Sequence, residues 1–158
     1  QSLEYHKKFE LESFLATNNM ICERLFPNSR EEDVHVVSEE LRIPMKCPFT
    51  LREIIIPARG YQCSHIECFD LSNYLKGNEK FRTYKCPHCN KESNLVKIDL
   101  LLLTLKKLIV SKTGSRDCED ITISNKLEIT SESFKAPISM VELTEFYITM
   151  RKMGTTSN

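Results

Sequence analysis

Two short clusters of metal-binding side chains limit this chain more than anything else in it. Cys63-x-His65-x-x-Cys68 is followed, after 17 residues, by Cys86-x-x-Cys89. Thiolates and an imidazole at such spacings converge on one soft cation, and tetrahedral zinc is the usual one. The chain holds seven cysteines, an odd set, and five of them lie between Cys47 and Cys89. A secreted disulfide scaffold would more often spread an even set along the chain, so the clustering reads as metal binding in a reducing compartment. Three thiolates and one imidazole from these clusters would make a closed structural set for one zinc ion per chain. All four positions are filled by protein, which leaves no place for the water of a catalytic zinc. A structural zinc supplies on the order of 10–16 kcal/mol of apparent binding energy, so the fold should depend on it.

Composition and charge set the outer limits. The chain has 158 residues, room for one compact domain or two small ones. Lys+Arg and Asp+Glu balance at 22 each, so bulk charge points to neither nucleic acid nor an anionic membrane. The longest apolar run, Leu100–Leu103, falls far short of the roughly 18–20 residues that span a bilayer. No signal-peptide pattern opens the sequence, and the first residue is Gln, so a piece of a longer protein is expected.

Periodicity and punctuation predict the elements. Residues 1–28 read as helical, with a break at Thr17-Asn18-Asn19 and a possible second cap at Asn19. Residues 34–46 read as extended, because Leu41, Ile43 and Met45 alternate with charged neighbours. Ile54–Pro57 reads as a short strand, and Phe69 to Lys76 as a two-turn helix stopped by Gly77. Asp99 caps a helix from Leu100 to about Lys112, closed by Gly114. A hairpin is expected over 121–129 around Asn125. Ser139 and Glu142 then form a capping-box pattern ahead of a helix to Met153.

The order of the donors resembles a cross-brace RING, in which eight ligands alternate between two zincs. On that pattern Cys63, His65, Cys86 and Cys89 are one complete site, and Cys68 belongs to the other. The other keeps Cys47 and Cys68 but has Thr50 and Leu71 where ligands belong. Two ligands do not hold zinc against water, so hydrogen bonds and packing are expected there, with Thr50 bonding near Cys47. The chain here resembles the SP-RING (Miz-type) zinc finger of the Siz/PIAS family of SUMO ligases. The matching residues are Cys47-Pro48-Phe49, Ile56-Pro57-Ala58-Arg59-Gly60, Cys63-Ser64-His65-Ile66-Glu67-Cys68-Phe69-Asp70, Tyr74-Leu75 and Thr83-Tyr84-Lys85-Cys86-Pro87-His88-Cys89. Two departures stand out, Tyr84 where the family usually has Trp and His88 where it favours Val.

The resemblance implies an α+β fold in three parts. Residues 1–40 are a helical and extended linker after an upstream PINIT domain, 41–97 the SP-RING finger, and 98–158 a C-terminal helix-plus-hairpin subdomain with a terminal helix. It also implies an E3 SUMO-protein ligase that binds the SUMO-charged conjugating enzyme (E2), SUMO and protein substrates, and that is nuclear. No nucleophile on the chain is needed, since such an E3 accelerates transfer by positioning the thioester. Phe49, Pro48 and Pro87, flanked by His88 and Tyr84, would form the E2 surface; the bland alternative is that Phe49 and Pro87 only pack their loops. His88 is either an alternative zinc ligand or a surface residue. Val34, Val36 and Val37, with acidic residues on both sides, are either part of a strand or a SUMO contact. Cys22 and Cys118 read as spare thiols. The helix over 139–153 would dock on the finger or serve another chain. The rival functions are a ubiquitin-type RING or U-box ligase and a non-catalytic zinc interaction module.

Overall fold

The computed structural model describes residues 2–27 and 40–153. Val34, Val36 and Val37 lie outside the described residues. The elements run α1 (Ser2–Leu25), β1 (Glu40–Pro44), β2 (Pro57–Gly60), β3 (Phe69–Asp70), α2 (Leu71–Phe81), β4 (Val96–Ile98) and α3 (Leu100–Thr113). They continue with β5 (Asp120–Ser124), β6 (Glu128–Ser131), β7 (Phe134–Ser139) and α4 (Met140–Met153).

Helix α3 is the centre of the molecule. Leu101, Leu102, Leu105, Leu108 and Ile109 are all buried along one face, the apolar stripe by which a helix packs into a core. Its ends are those read from the sequence. The Asp99 carboxylate accepts from the Leu102 N–H, and Gly114 closes the helix at φ 73°. On one side lies α1, with Phe14, Thr17, Ile21 and Leu25 buried at helical spacing. On another lies α4, started by the Ser139 Oγ, which accepts from the Glu142 N–H at 3.0 Å. Tyr147 of α4 stacks on Phe14 of α1 at 4.2 Å, and Lys112 of α3 pairs with Glu142 at 2.6 Å. The last helix therefore docks on α1, α3 and β7. Docking on the finger, one of the two expectations for it, is not what holds it.

Two antiparallel sheets complete the fold. The finger carries the order β3-β2-β4, and the second sheet runs β1-β5-β6-β7. The expected hairpin is β5–β6, with Ile123 opposite Ile129. Strand β1 opens the stretch expected as the finger, yet it pairs with β5 throughout, Ile43 opposite Ile121, so the finger is clasped at its base by the C-terminal sheet.

Three local expectations fail for physical reasons. Helix α1 runs unbroken through Thr17-Asn18-Asn19, because the Thr17 hydroxyl is buried and bonded. Gly77 does not stop α2, which continues to Phe81 and closes with Arg82 at φ 53°. The strand expected at Ile54–Pro57 begins only at Pro57 and runs to Gly60. The N–H groups of Ile55 and Ile56 instead donate to the Asp70 carboxylate at 2.9 and 3.1 Å.

Candidate metal centre

The four donors of the site expected to be complete converge. The ligand atoms of Cys63, His65, Cys86 and Cys89 all lie within 4.8 Å of one another. Cys63 Sγ is 3.7 Å from Cys89 Sγ, and Cys86 Sγ is 3.3 Å from His65 Nε2. Tetrahedral zinc with Zn–S bonds of about 2.3 Å would set its sulfurs about 3.8 Å apart, so these residues fit the ion. His65 Nδ1 lies 2.9 Å from the Glu67 carbonyl. Donating there fixes the tautomer that aims the Nε2 lone pair at the cluster. Burial, helped by the nearby His88, lowers the His65 pKa and favours the neutral imidazole a metal needs. Burial also pushes the Cys86 thiol up to about 12. A cation among the four donors reverses that, since a coordinating thiol is deprotonated. The zinc is structural, with every ligand position taken by protein.

Three features shape the pocket. Cys63 follows β2, His65 sits in the turn after it, and Cys86 and Cys89 form a tight loop closed by Cys86 N–H to Lys91 O at 3.0 Å. Gly60 is required beside it. A Cβ there would lie 2.3 Å from Ser93 Oγ and 3.2 Å from Cys63 Sγ. The Tyr74 hydroxyl donates to the Ser93 carbonyl at 2.7 Å, tying α2 to the same strand of chain.

Cys47, Thr50, Cys68 and Leu71, the pattern's other site, do not form a second cluster of donors among the described residues. Cys47 Sγ accepts from the Asp70 N–H at 3.4 Å. The Thr50 hydroxyl accepts from the Arg52 N–H at 3.3 Å and from the Asn73 side chain at 3.4 Å. Leu71 is half-buried against the core. Cys68 Sγ lies 3.6 Å from the Arg59 guanidinium and 3.9 Å from the Asp99 carboxylate. Its thiol is raised well above the usual range by burial and by Asp99.

That neighbourhood is a buried polar network the sequence analysis missed. Arg59 Nη1 pairs with Asp99 and donates to the Ile66 carbonyl at 3.3 Å. Arg59 Nη2 donates to the Thr17 hydroxyl at 2.9 Å, and Thr17 donates onward to Asp99 at 3.1 Å. Arg59 and Asp99 are each only 2% exposed. Burial alone would lower the Arg59 pKa, but Asp99 and Cys68 outweigh it and raise it. One ion pair thus joins α1, the finger and α3. The one available signal was an arginine in an otherwise apolar run, Ile-Ile-Ile-Pro-Ala-Arg-Gly.

The residues expected to meet a partner are outside these networks or at their edge. Phe49 is 50% exposed, with its inner face against Phe69 and Tyr74 at ring distances of 6.3 and 6.2 Å. Pro48 is half-buried, Pro87 is exposed, and Tyr84 is partly exposed with its N–H on the Asn78 side chain at 2.7 Å. His88 is not among the four donors. Its Nε2 is 2.9 Å from the Cys68 carbonyl, and its ring is 5.3 Å from that of His65. Cys118, expected as a spare thiol in a polar turn, is buried and bonded to the Asp120 carbonyl and Ser131 hydroxyl. Cys22 is half-buried.

With this geometry in place, similarity to known proteins is informative. The MIZ/SP-RING zinc finger family matches residues 43–92. Human zinc finger MIZ domain-containing protein 2 is 40% identical over 97 residues, 61% of this chain and 10% of that protein. Human E3 SUMO-protein ligase PIAS2 is 32% identical over 91 residues, 58% of this chain and 14% of that protein. The chain thus spans only a small fraction of these relatives. The crystal structure of the S. cerevisiae SUMO E3 ligase SIZ2 superposes with a TM-score of 0.56 at 22% identity, covering 74% of this chain and 40% of that one. That likeness concerns the fold.

Proposed function

We propose that this chain, which carries a MIZ/SP-RING zinc finger at residues 43–92, belongs to the Siz/PIAS family and is the E2-activating part of a SUMO-protein ligase. The observation that carries the reading is a pair of loop tips, one at the metal centre and the other at its metal-free counterpart. One tip presents Phe49 and the other Pro87 and His88. The hydrogen bond from His88 to the Cys68 carbonyl, and the rings of Phe69 and Tyr74 under Phe49, hold both tips to one body. An apolar aromatic projecting half-exposed from a rigid loop suits protein docking better than packing.

In this reading the E2 sits on Phe49, Pro48 and Pro87, with His88 and Tyr84 at the margin. The reaction itself is attack of a substrate lysine amine on the E2–SUMO thioester carbonyl, with the E2 thiolate leaving. In this reading the chain contributes no nucleophile: Cys63, Cys86 and Cys89 serve the metal, Cys47, Cys68 and Cys118 are buried, and Cys22 is half-buried on α1. Its contribution is to reduce the conformations of the thioester, which lowers the barrier by positioning. Zinc supplies only the rigidity of the second loop.

Single-turnover discharge of a SUMO-charged E2 tests this. The zinc-loaded chain should accelerate discharge, and Phe49→Ala should remove most of the gain, about tenfold, while keeping its zinc. A folded Phe49→Ala protein as active as the parent would return Phe49 to mere packing. Acceleration with a ubiquitin E2 but not the SUMO E2 would replace the proposal with the ubiquitin-ligase alternative.

A further inference from the structure

Away from the loop tips, the finger, α3 and the turn before β5 enclose a groove of about 460 Å³. Its floor is apolar. Leu103 and Val110 come from one face of α3, two turns apart, and Ile55 faces them from the finger. Ile55 is 56% exposed and Val110 39%. The rim is basic. Lys106, Lys107 and Arg116 stand around it against a single carboxylate, Glu53. Glu53 is already held by Lys106 at 3.0 Å and by Arg116 at 3.2 Å. The described lining therefore carries an excess of positive charge although the whole chain is neutral. None of these residues belongs to the metal centre or the proposed E2 surface.

We infer that this groove is a docking site for a partner protein's short apolar segment flanked by acidic residues. The volume falls within the range of built ligand sites and holds a few aliphatic side chains. Branched apolar residues would cover Ile55, Leu103 and Val110. Carboxylates on either side would meet Lys107 and the outer face of Arg116, a complementarity that also steers the encounter. A nucleic acid would satisfy the rim but leave the apolar floor uncovered, so the segment is read as peptide.

The probe is a fluorescein-labelled peptide, Glu-Glu-Asp-Leu-Ile-Ser-Leu-Leu-Glu-Glu, titrated by anisotropy into the full zinc-loaded chain. Saturable binding is expected. Val110→Asp should weaken it about tenfold or more, as loss of a central anchor does, and Lys107→Glu several-fold. The Lys107→Glu deficit should shrink as salt rises. Ile55→Asp repeats the floor test on the finger side should Val110→Asp melt early. A control peptide with Ser for every Leu and Ile should not bind. No saturation would overturn the inference. So would equal binding of the Ser control or of hexaglutamate, equal or tighter binding of a short RNA, or unchanged affinity in folded Val110→Asp and Ile55→Asp proteins. Phe49→Ala should leave peptide affinity unchanged, which separates this site from failure of the ligase reading.

Discussion

Residues 46–53 and 85–92 run through the same turn. In the first, Cys47 N–H donates to Arg52 O at 2.8 Å and Leu51 N–H to Cys47 O at 2.8 Å. In the second, Cys86 N–H donates to Lys91 O at 3.0 Å and Asn90 N–H to Cys86 O at 2.8 Å. Each turn ends in an isolated bridge, Lys46 with Glu53 and Lys85 with Glu92. Each passes through a left-handed residue, Leu51 at φ 59° and Asn90 at φ 63°. One turn carries two zinc ligands and the other carries Cys47 and Thr50. The shape therefore does not require metal. What differs is the anchor. The first turn is held by Asp70, whose N–H reaches Cys47 Sγ and whose carboxylate takes the Ile55 and Ile56 N–H groups, and by the Arg59–Asp99 network behind Cys68. The second is held by the shared cation.

If that division is right, the largest effect comes from the metal. Chelation, or Cys86→Ser, should unfold the second loop and with it the finger, a loss on the order of the 10 kcal/mol or more that structural zinc supplies. Elemental analysis should give one zinc per chain, and two would break the comparison. Acid should act on the same loop. Folding lowers the His65 pKa from 6.5, so as pH falls through 6.5 the unfolded chain takes up a proton that folded His65 resists. The folded state then loses stability, and zinc competes with protons for the same nitrogen. Zinc release followed with a chromophoric chelator should rise below that pH and be suppressed above it.

Next in size is the metal-free side. Asp99→Asn keeps a capping side chain for α3 but strands the buried Arg59 charge. Breaking such a pair from one side costs about 3–5 kcal/mol, measurable by urea unfolding with zinc content unchanged. A smaller change of opposite sign is expected at Leu51. Asn tolerates the left-handed conformation that a branched apolar residue resists, so Leu51→Asn should stabilise by about 1 kcal/mol. A loss instead would show that the exposed leucine side chain is itself held. The smallest effect is expected from Thr50→Cys with Leu71→Cys. Cys68 Sγ faces Arg59 and Asp99, so restoring two thiols should leave the count at one zinc and shift stability by less than about 1 kcal/mol.

What the sequence by itself determined are features whose causes lie within a few residues. The C-x-H-x-x-C and C-x-x-C clusters supplied the donors, and their order, matched to the cross-brace pattern, picked the four. Asp99 and Gly114 bounded α3, Asn125 marked the β5–β6 hairpin, and Ser139 began α4. Tertiary structure decided the rest, because the deciding partners are remote. Thr17 looked like a helix break and is instead bonded to residues 42 and 82 positions away. Arg59 looked like one charge in an apolar run and proved to be the join between α1, the finger and α3. Gly77 yielded to the packing of α2, and β1 found its partner in β5, about 80 residues on. Where the last helix rests, and whether a groove opens beside α3, depend on surfaces that exist only once those distant segments have met.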